Sequence, residues 1–267
     1  MRNYVAGVLT AGILLGALRW ADLALWTDLD TGLVTAGPVW ARYLALALAA
    51  GLALLAGGLP GASAAAVERP RTRGAALALS LPAFAAGTLY LIQGGLDLLG
   101  GTGPAGAVHG ALGVLCALWL ECLGQHWLLA GLRSQRRSAS APPPAWLGVL
   151  GSLVFAWDVL ASFMTNGSSW HRTIPTSAVW QQLAALLLLG ALLRAVCLPD
   201  APNPKKNLCR CGLLAWVLCL AWQLPRCVLL PAGPGDWGLA ALGLLGGACA
   251  LFCAQPGPQR RGNHAAG

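Results

Sequence analysis

Eight long apolar segments, separated by short polar connections, dominate this chain of 267 residues. A helix that crosses about 30 Å of hydrocarbon at about 1.5 Å per residue needs about 20 apolar residues. The segments that reach this length run approximately over residues 4–26, 38–59, 75–99, 107–131, 145–165, 178–198, 212–231 and 237–255. The pattern therefore predicts an all-α fold, a polytopic transmembrane bundle of eight helices, which we number spans 1–8.

The scarcity of charge supports a membrane protein over the other classes. Only 10% of the residues are charged and 57% are hydrophobic, whereas about a quarter of the residues in soluble domains are charged. Intrinsic disorder requires the opposite composition, with few apolar and many charged residues. A lipid bilayer is therefore the predicted environment of the chain.

The connections between the spans alternate in charge. The odd-numbered connections contain Asp28, Asp30 and Asp236, with Arg172 as their one basic residue. The other side carries thirteen of the 17 basic residues, namely Arg2, Arg69, Arg71, Arg73, Arg133, Arg136, Arg137, Arg194, Lys205, Lys206, Arg210, Arg260 and Arg261. Because short cytoplasmic loops are enriched in Lys and Arg, this alternation predicts that both chain termini face the cytoplasm.

The same distribution accounts for the net charge of +8. A nucleic-acid surface needs its basic side chains on one folded face, whereas here they lie in short clusters between spans. We therefore expect no nucleic-acid partner, and the sequence identifies no protein partner.

The connections are too short to fold separately, so residues 1–267 form one membrane domain. A linker rich in Arg, Ser and Pro, residues 133–144, divides it into two candidate repeat halves, 1–132 and 145–256. Val39-Trp40 and Val179-Trp180 begin spans 2 and 6 in corresponding positions. Since both halves begin on the same side, a duplication would relate two parallel four-helix repeats.

Polar and charged residues inside the spans are the best candidates for a functional site, because a charge in hydrocarbon costs about 2.5–3.5 kcal/mol. Most fall in the outer half of the bundle. Asp158 lies about two turns inside the outer end of span 5, deeper than the other aspartates. The candidate polar cluster comprises Arg19, Asp22, Arg42, Gln93, Asp97, His109, Asp158, Gln223 and Arg226, with Gln181 and Gln182 at similar depth.

Three interpretations of this cluster remain open. Its members form ion pairs that fix the helices, as the i,i+3 spacing of Arg19 and Asp22 suggests, or they line a solute site open to the outside. Individual side chains near a span end can also extend to water without either role. Under all three interpretations Gln93 and Asp97 lie on the same face of span 3, because they are four residues apart.

A second candidate group lies deeper, on span 4. Glu121 is close to the midplane, and Gln125 is one turn away on the same face, followed by His126. Carboxyl and imidazole groups at such positions form proton relays. The alternative is a neutral Glu121 carboxyl that is hydrogen-bonded to a neighbouring helix.

Other motifs contribute little. The sequence contains no HExxH, GxSxG, P-loop or dinucleotide-binding motif in its required context, and we expect no cofactor. Cys209 and Cys211 lack the second ligand pair of a zinc site, so no metal is predicted. Gly12 and Gly16, and likewise Gly243 and Gly247, have the spacing of close helix contacts.

The first outer loop, Thr27-Asp-Leu-Asp-Thr-Gly-Leu33, is similar to a pattern in uncharacterised bacterial multi-pass membrane proteins. The resemblance covers the first span and its loop, and it implies a bacterial inner membrane. It carries no assigned activity.

These observations favour a non-enzymatic membrane protein that moves or senses a small solute. The alternative is a structural or accessory membrane subunit, and a third is an intramembrane enzyme that uses Asp158, His109, Glu121 and His126 as acid–base groups. Geometry separates them. A cavity that reaches Asp158 or Glu121 favours a solute site, a closed bundle favours a structural role, and an enzyme needs a carboxylate and a histidine in hydrogen-bond reach.

Overall fold

The structure, a computed structural model, describes residues 2–29, 31, 33–58, 67, 70, 72–100, 103–132, 142–165, 173–198 and 204–254. Eight helices in this part of the chain are long and apolar enough to cross a membrane. The predicted all-α bundle of eight spans is therefore confirmed. Several residues of the predicted charge pattern lie outside the described residues, namely Asp30, Arg69, Arg71, Arg133, Arg136, Arg137, Arg172, Arg260 and Arg261.

The spans agree closely with the sequence pattern. They are Arg2–Trp26, Val39–Gly57, Arg73–Leu99, Gly103–Leu132, Ala145–Thr165, Thr173–Cys197, Pro204–Leu229 and Pro234–Cys253. Span 7 differs most, because its helix begins at Pro204 rather than near residue 212. The polar stretch before residue 212 thus extends the helix beyond the apolar segment.

Local sequence sets where several helices begin. The hydroxyl of Thr72 accepts a hydrogen bond of 3.2 Å from the backbone N–H of Ala75, which caps span 3. Pro234 is in the first turn of span 8. Backbone N–H groups in this turn have no partner within the helix, so proline costs no hydrogen bond there. Gly37 adopts a positive φ of 79° in the turn before span 2, a conformation that glycine adopts without steric cost.

Span 7 lies at the centre of the bundle. In its most apolar window 67% of the residues are buried, against 17% in each of spans 1 and 2. Spans 3 and 4 form a closely packed antiparallel pair, and span 8 packs between span 3 and span 7. Spans 1 and 2 lie on the outside of span 7. The proposed relation between the two halves, which superposition of spans 1–4 on spans 5–8 would test, stays a prediction.

The central span is not a regular α-helix. Residues Trp216–Ala221 form a π-helical segment between Pro204–Ala215 and Gln223–Leu229. Both small-residue motifs pack against this segment. Gly12 and Gly16 of span 1 approach Trp216 and Ala221, and Gly243 and Gly247 of span 8 approach Leu220 and Trp216 from another side.

The two ends of the bundle differ in charge. At the basic end, where spans 3 and 7 begin and span 6 ends, lie Arg73, Arg194, Lys206 and Arg210. At the opposite end, which we call the polar end, spans 1, 3, 5 and 7 finish and spans 2, 4, 6 and 8 begin. The nine residues of the candidate polar cluster belong to the polar end, at different depths.

Candidate functional site

The structure divides the candidate polar cluster into two groups. Three members form an ion-pair cluster between spans 1 and 2. Five others line a cavity between spans 3, 4, 5, 6, 7 and 8, and the remaining one, Gln223, hydrogen-bonds to Asp236 on the wall of that cavity. The sequence predicts that these residues lie at similar depth in the membrane, and the packing of the helices separates them into the two groups.

The ion-pair cluster consists of Arg19, Asp22 and Arg42. The guanidinium of Arg19 donates to Oδ2 of Asp22, so the predicted i,i+3 pair is confirmed. Nε of Arg42 donates to Oδ1 of the same carboxylate at 2.7 Å. Arg42 also donates to the backbone oxygen of Ala36 at 3.0 Å, which ties span 2 to its preceding turn.

This cluster is closely enclosed by protein. Arg19 is 3% exposed, and its guanidinium carbon lies 4.4 Å from the ring centre of Trp222 on span 7. Such a cation–π contact and the shared carboxylate together stabilise a buried charge. A cleft of about 400 Å³ adjoins the cluster, but its lining is mainly apolar, with Leu15, Leu18 and Trp26 among its residues. The ion-pair cluster therefore fixes spans 1 and 2 against span 7.

The second group is organised around His109, which lies between two carboxylates. Nδ1 of His109 is 2.9 Å from Oδ2 of Asp97 on span 3. Nε2 is 2.9 Å from Oδ1 of Asp158 on span 5, although this buried nitrogen has no hydrogen bond of good geometry. We call these residues the Asp–His–Asp triad, and they join three helices.

Gln93 connects the triad to span 8. Its Nε2 donates to Oδ1 of Asp97 at 3.0 Å, as the shared helix face predicted. Its Oε1 accepts from the backbone N–H of Gly235 at 3.2 Å. The orientation of Asp97 is thus set by two neighbours, His109 and Gln93.

Asp236 is the third carboxylate of this group. Its Oδ1 is 3.2 Å from a guanidinium nitrogen of Arg226 and accepts from Nε2 of Gln223 at 2.9 Å. Its Oδ2 accepts from the backbone N–H of Gly233 at 3.1 Å, which caps span 8. The negative charge of Asp236 is therefore balanced by Arg226.

A cavity of about 370 Å³ lies between these groups. This volume is within the range of small-molecule sites. Tyr90 and the neutral amides of Gln181 and Gln182 form other parts of its wall. The charged or titratable side chains that line it, besides Tyr90, are Asp97, His109, Asp158, Arg226 and Asp236.

Sequence reasoning missed part of this wall. Asp236 was assigned to a connection, and neither Tyr90 nor Ser162 was singled out. Asp236 could have been found, because an acidic residue just after Pro234 is typical of the first turn of a helix. The sequence carries no comparable signal for Tyr90, whose ring packs edge-on against Phe155 at 5.5 Å.

Glu121, Gln125 and His126 lie apart from the cavity. Oε1 of Glu121 accepts a hydrogen bond of 3.2 Å from the hydroxyl of Thr88 on span 3. Gln125 is exposed on the bundle surface, and His126 is buried. The contact with Thr88 corresponds to the alternative of a carboxyl bonded to a neighbouring helix, and the relay stays a prediction.

The donor atoms around the cavity do not converge as metal ligands do. Among the described residues, no group of three or more His, Cys, Asp or Glu side chains could hold a metal ion. The triad carboxylates lie on opposite sides of the imidazole, which separates them. The side chains on the wall of the cavity can form hydrogen bonds and ion pairs and can exchange protons.

Comparisons with known proteins find no counterpart for this arrangement. No family model matches the chain, and neither a curated protein nor a solved structure matches it.

Proposed function

We propose that this integral membrane protein binds a small polar solute in the cavity at its polar end, as a transporter or a sensor of that solute. The observation that carries the proposal is a cavity of about 370 Å³ lined by charged and amide side chains from six spans. Intramembrane charges that line a cavity are typical of solute and ion pathways.

The proposed orientation follows from the charges and from the first loop. We place the protein in a bacterial inner membrane with both termini in the cytoplasm, so that the polar end faces outward. The positive-inside rule supports this orientation through Arg73, Arg194, Lys206 and Arg210 at the basic end. A solute would then enter the cavity from the outer surface.

A structural or accessory role is the second candidate, and the ion-pair cluster favours it. Asp22 forms ion pairs with both arginines, and the neighbouring cleft offers mainly apolar atoms. The cavity differs, because its polar groups are partly exposed to the enclosed space. The side chains of Asp97, His109 and Asp158 are 22%, 23% and 28% exposed.

An acid–base enzyme is the third candidate, since two carboxylates lie within reach of His109. Nucleophilic catalysis also needs a nucleophile bonded to its base. The nearby hydroxyl of Ser162 instead donates to the backbone oxygen of Asp158 at 2.7 Å. This arrangement favours a binding site over a hydrolytic one.

Cysteine accessibility tests the solute site. Ser162 lines the cavity, whereas Leu160 on the same helix is 63% exposed on the outer surface of the bundle, where lipid would surround it. In full-length protein in membranes, we expect a membrane-impermeant methanethiosulfonate reagent to modify Ser162→Cys at least about tenfold faster than Leu160→Cys, because thiolates form in water and not in hydrocarbon.

The parent protein, with its own nine cysteines, gives the background rate. Equal, background-level rates for the two variants would show a cavity closed to water and would contradict the proposed function.

A further inference from the structure

The two carboxylates of the Asp–His–Asp triad differ in how many partners they have. Asp97 accepts hydrogen bonds from both Gln93 and His109. For the Asp158 carboxylate, the described residues provide one contact, with Nε2 of His109 at 2.9 Å. Since that nitrogen has no hydrogen bond of good geometry, Asp158 is the triad carboxylate with the greater acceptor capacity left for a ligand.

A second acceptor on the wall also lacks a donor. Oε1 of Gln182 is buried and has no hydrogen-bond partner among the described residues. Gln182 lines the same cavity from span 6. A buried acceptor without a donor costs free energy, so a ligand that donates hydrogen bonds would remove that cost.

The charged side chains around the cavity give the site a net negative charge. Asp97, Asp158 and His109 come from spans 3, 5 and 4, and span 6 provides only the neutral amides of Gln181 and Gln182. On spans 7 and 8, Arg226 and Asp236 pair with each other. The triad therefore carries a net charge of about −1 when His109 is protonated and about −2 when it is neutral.

We propose that the cavity takes a small monovalent organic cation with a primary ammonium group, which binds at Asp158 in exchange for the proton of the triad. This inference rests on the proposed function and names its substrate class. An ammonium group has three donors for the unfilled acceptors of Asp158 and Gln182. An anion would meet a site of net negative charge, because the charge of Arg226 is balanced by Asp236.

The proton follows from the geometry of the triad. Each nitrogen of the imidazole lies 2.9 Å from a carboxylate oxygen, so a nitrogen without hydrogen would face that oxygen lone pair to lone pair. This repulsion is removed when both nitrogens carry hydrogen, or when one carboxyl does. In the proposed exchange, the site without a ligand carries this one additional proton. When an ammonium ion pairs with Asp158, this proton leaves to water, so one positive charge enters and one departs.

Protection of Ser162→Cys from methanethiosulfonate modification tests the ligand class. Propylammonium is the probe, with 1-propanol and propionate as neutral and anionic matches of the same chain length. We expect saturating propylammonium to slow the modification at least about fivefold, since a bound ligand occludes the thiol by mass action. The two matches should leave the rate unchanged.

Variants of Asp158 test whether the protection of Ser162→Cys depends on this carboxylate. Asp158→Asn in the Ser162→Cys protein should abolish protection, and Asp158→Glu, which keeps the charge, should retain it. Protection by propionate, equal protection by 1-propanol, or full protection in Asp158→Asn would overturn the proposal.

The pH dependence tests the exchange with a proton. Because protons and ammonium ions compete, the propylammonium concentration for half protection should rise as the pH falls from 8.5 to 6.5, by up to about tenfold per pH unit for one proton. His109→Gln, which removes the imidazole, should flatten this slope. A slope of zero in the parent Ser162→Cys protein would refute the exchange.

The outcomes separate this inference from the proposed function. If Ser162→Cys reacts quickly and propylammonium gives no protection, the ammonium ligand is wrong and the water-filled solute site stands. If Ser162→Cys does not react above background, the site itself fails.

Discussion

Asp22 links the first two spans to each other. Its carboxylate accepts from Arg19 and from Arg42, which lie on different helices. Arg19 in turn stacks on Trp222 of the central span. One carboxylate thus compensates two guanidinium groups, and Arg19 retains a buried Nε atom without a partner.

Asp22→Ala should therefore destabilise the protein more than removal of either arginine. It leaves two partly desolvated positive charges without their carboxylate, and breaking a buried ion pair in this way costs about 3–5 kcal/mol. Thermal unfolding in detergent, followed by the reaction of buried cysteines with a maleimide dye, measures the effect.

Arg19→Met is the matched control, because Asp22 keeps its bond to Arg42 in that variant. We expect its unfolding midpoint to lie between those of the parent and Asp22→Ala. Equal midpoints for the two variants would show that Asp22 has no special role.

The residue types of the site could be predicted from the sequence, because charged side chains inside apolar segments are conspicuous. Arg19 and Asp22, or Gln93 and Asp97, could also be paired, since each pair lies on one helix. The contact of His109 with Asp158 could not be predicted, because it depends on how span 4 and span 5 are rotated. The sequence for this reason suggested one cluster where the structure has two groups.

At the scale of the helices, the π-helical segment of span 7 requires glycine on both spans that pack closely against it, spans 1 and 8. A π-helix is wider than an α-helix, and π-bulges are frequent at functional sites. A Cβ atom on Gly243 would lie 2.5 Å from the backbone nitrogen of Leu220, and one on Gly16 would lie 2.9 Å from the backbone oxygen of Ala221. These backbone atoms cannot move without shifting the segment.

Gly243→Ala should consequently lower the unfolding midpoint, because overpacking of this kind costs about 1–3 kcal/mol. The same dye assay measures it. Gly51→Ala is the control, since a Cβ there meets nothing within 4 Å, and alanine favours a helix over glycine. A Gly243→Ala protein as stable as Gly51→Ala would contradict close packing against the π-segment.

The π-segment also reaches the cavity through Gln181. The amide of Gln181 donates to the backbone oxygen of Leu218 at 3.0 Å, and the thiol of Cys219 donates to the backbone oxygen of Gln181 at 3.3 Å. The sequence predicted the spans to within a few residues at most of their ends. It could not predict this irregular turn, because an unbroken apolar run such as Trp216–Ala221 suits an α-helix equally well.

At the scale of the whole molecule, the charges of the two ends are organised differently. Each of the arginines Arg19, Arg42 and Arg226 contacts an aspartate at the polar end. Arg73, Arg194, Lys206 and Arg210 are at the basic end. Cytoplasmic loops are enriched in basic residues, so this asymmetry supports the proposed orientation, with the basic end in the cytoplasm. The side from which a solute reaches the cavity depends on this orientation, and in the proposed one it approaches the polar end from outside.

Labelling of introduced cysteines in intact cells tests the orientation. Thr35 lies in the exposed turn between spans 1 and 2, and Pro144 is exposed just before span 5. We expect a membrane-impermeant maleimide to label Thr35→Cys in intact cells and Pro144→Cys only after permeabilisation, because the first position lies at the polar end and the second at the basic end. The parent protein controls for the native cysteines. Labelling of Pro144→Cys in intact cells, with Thr35→Cys protected, would place the cavity on the cytoplasmic side, and the ammonium ion would then enter from the cell interior.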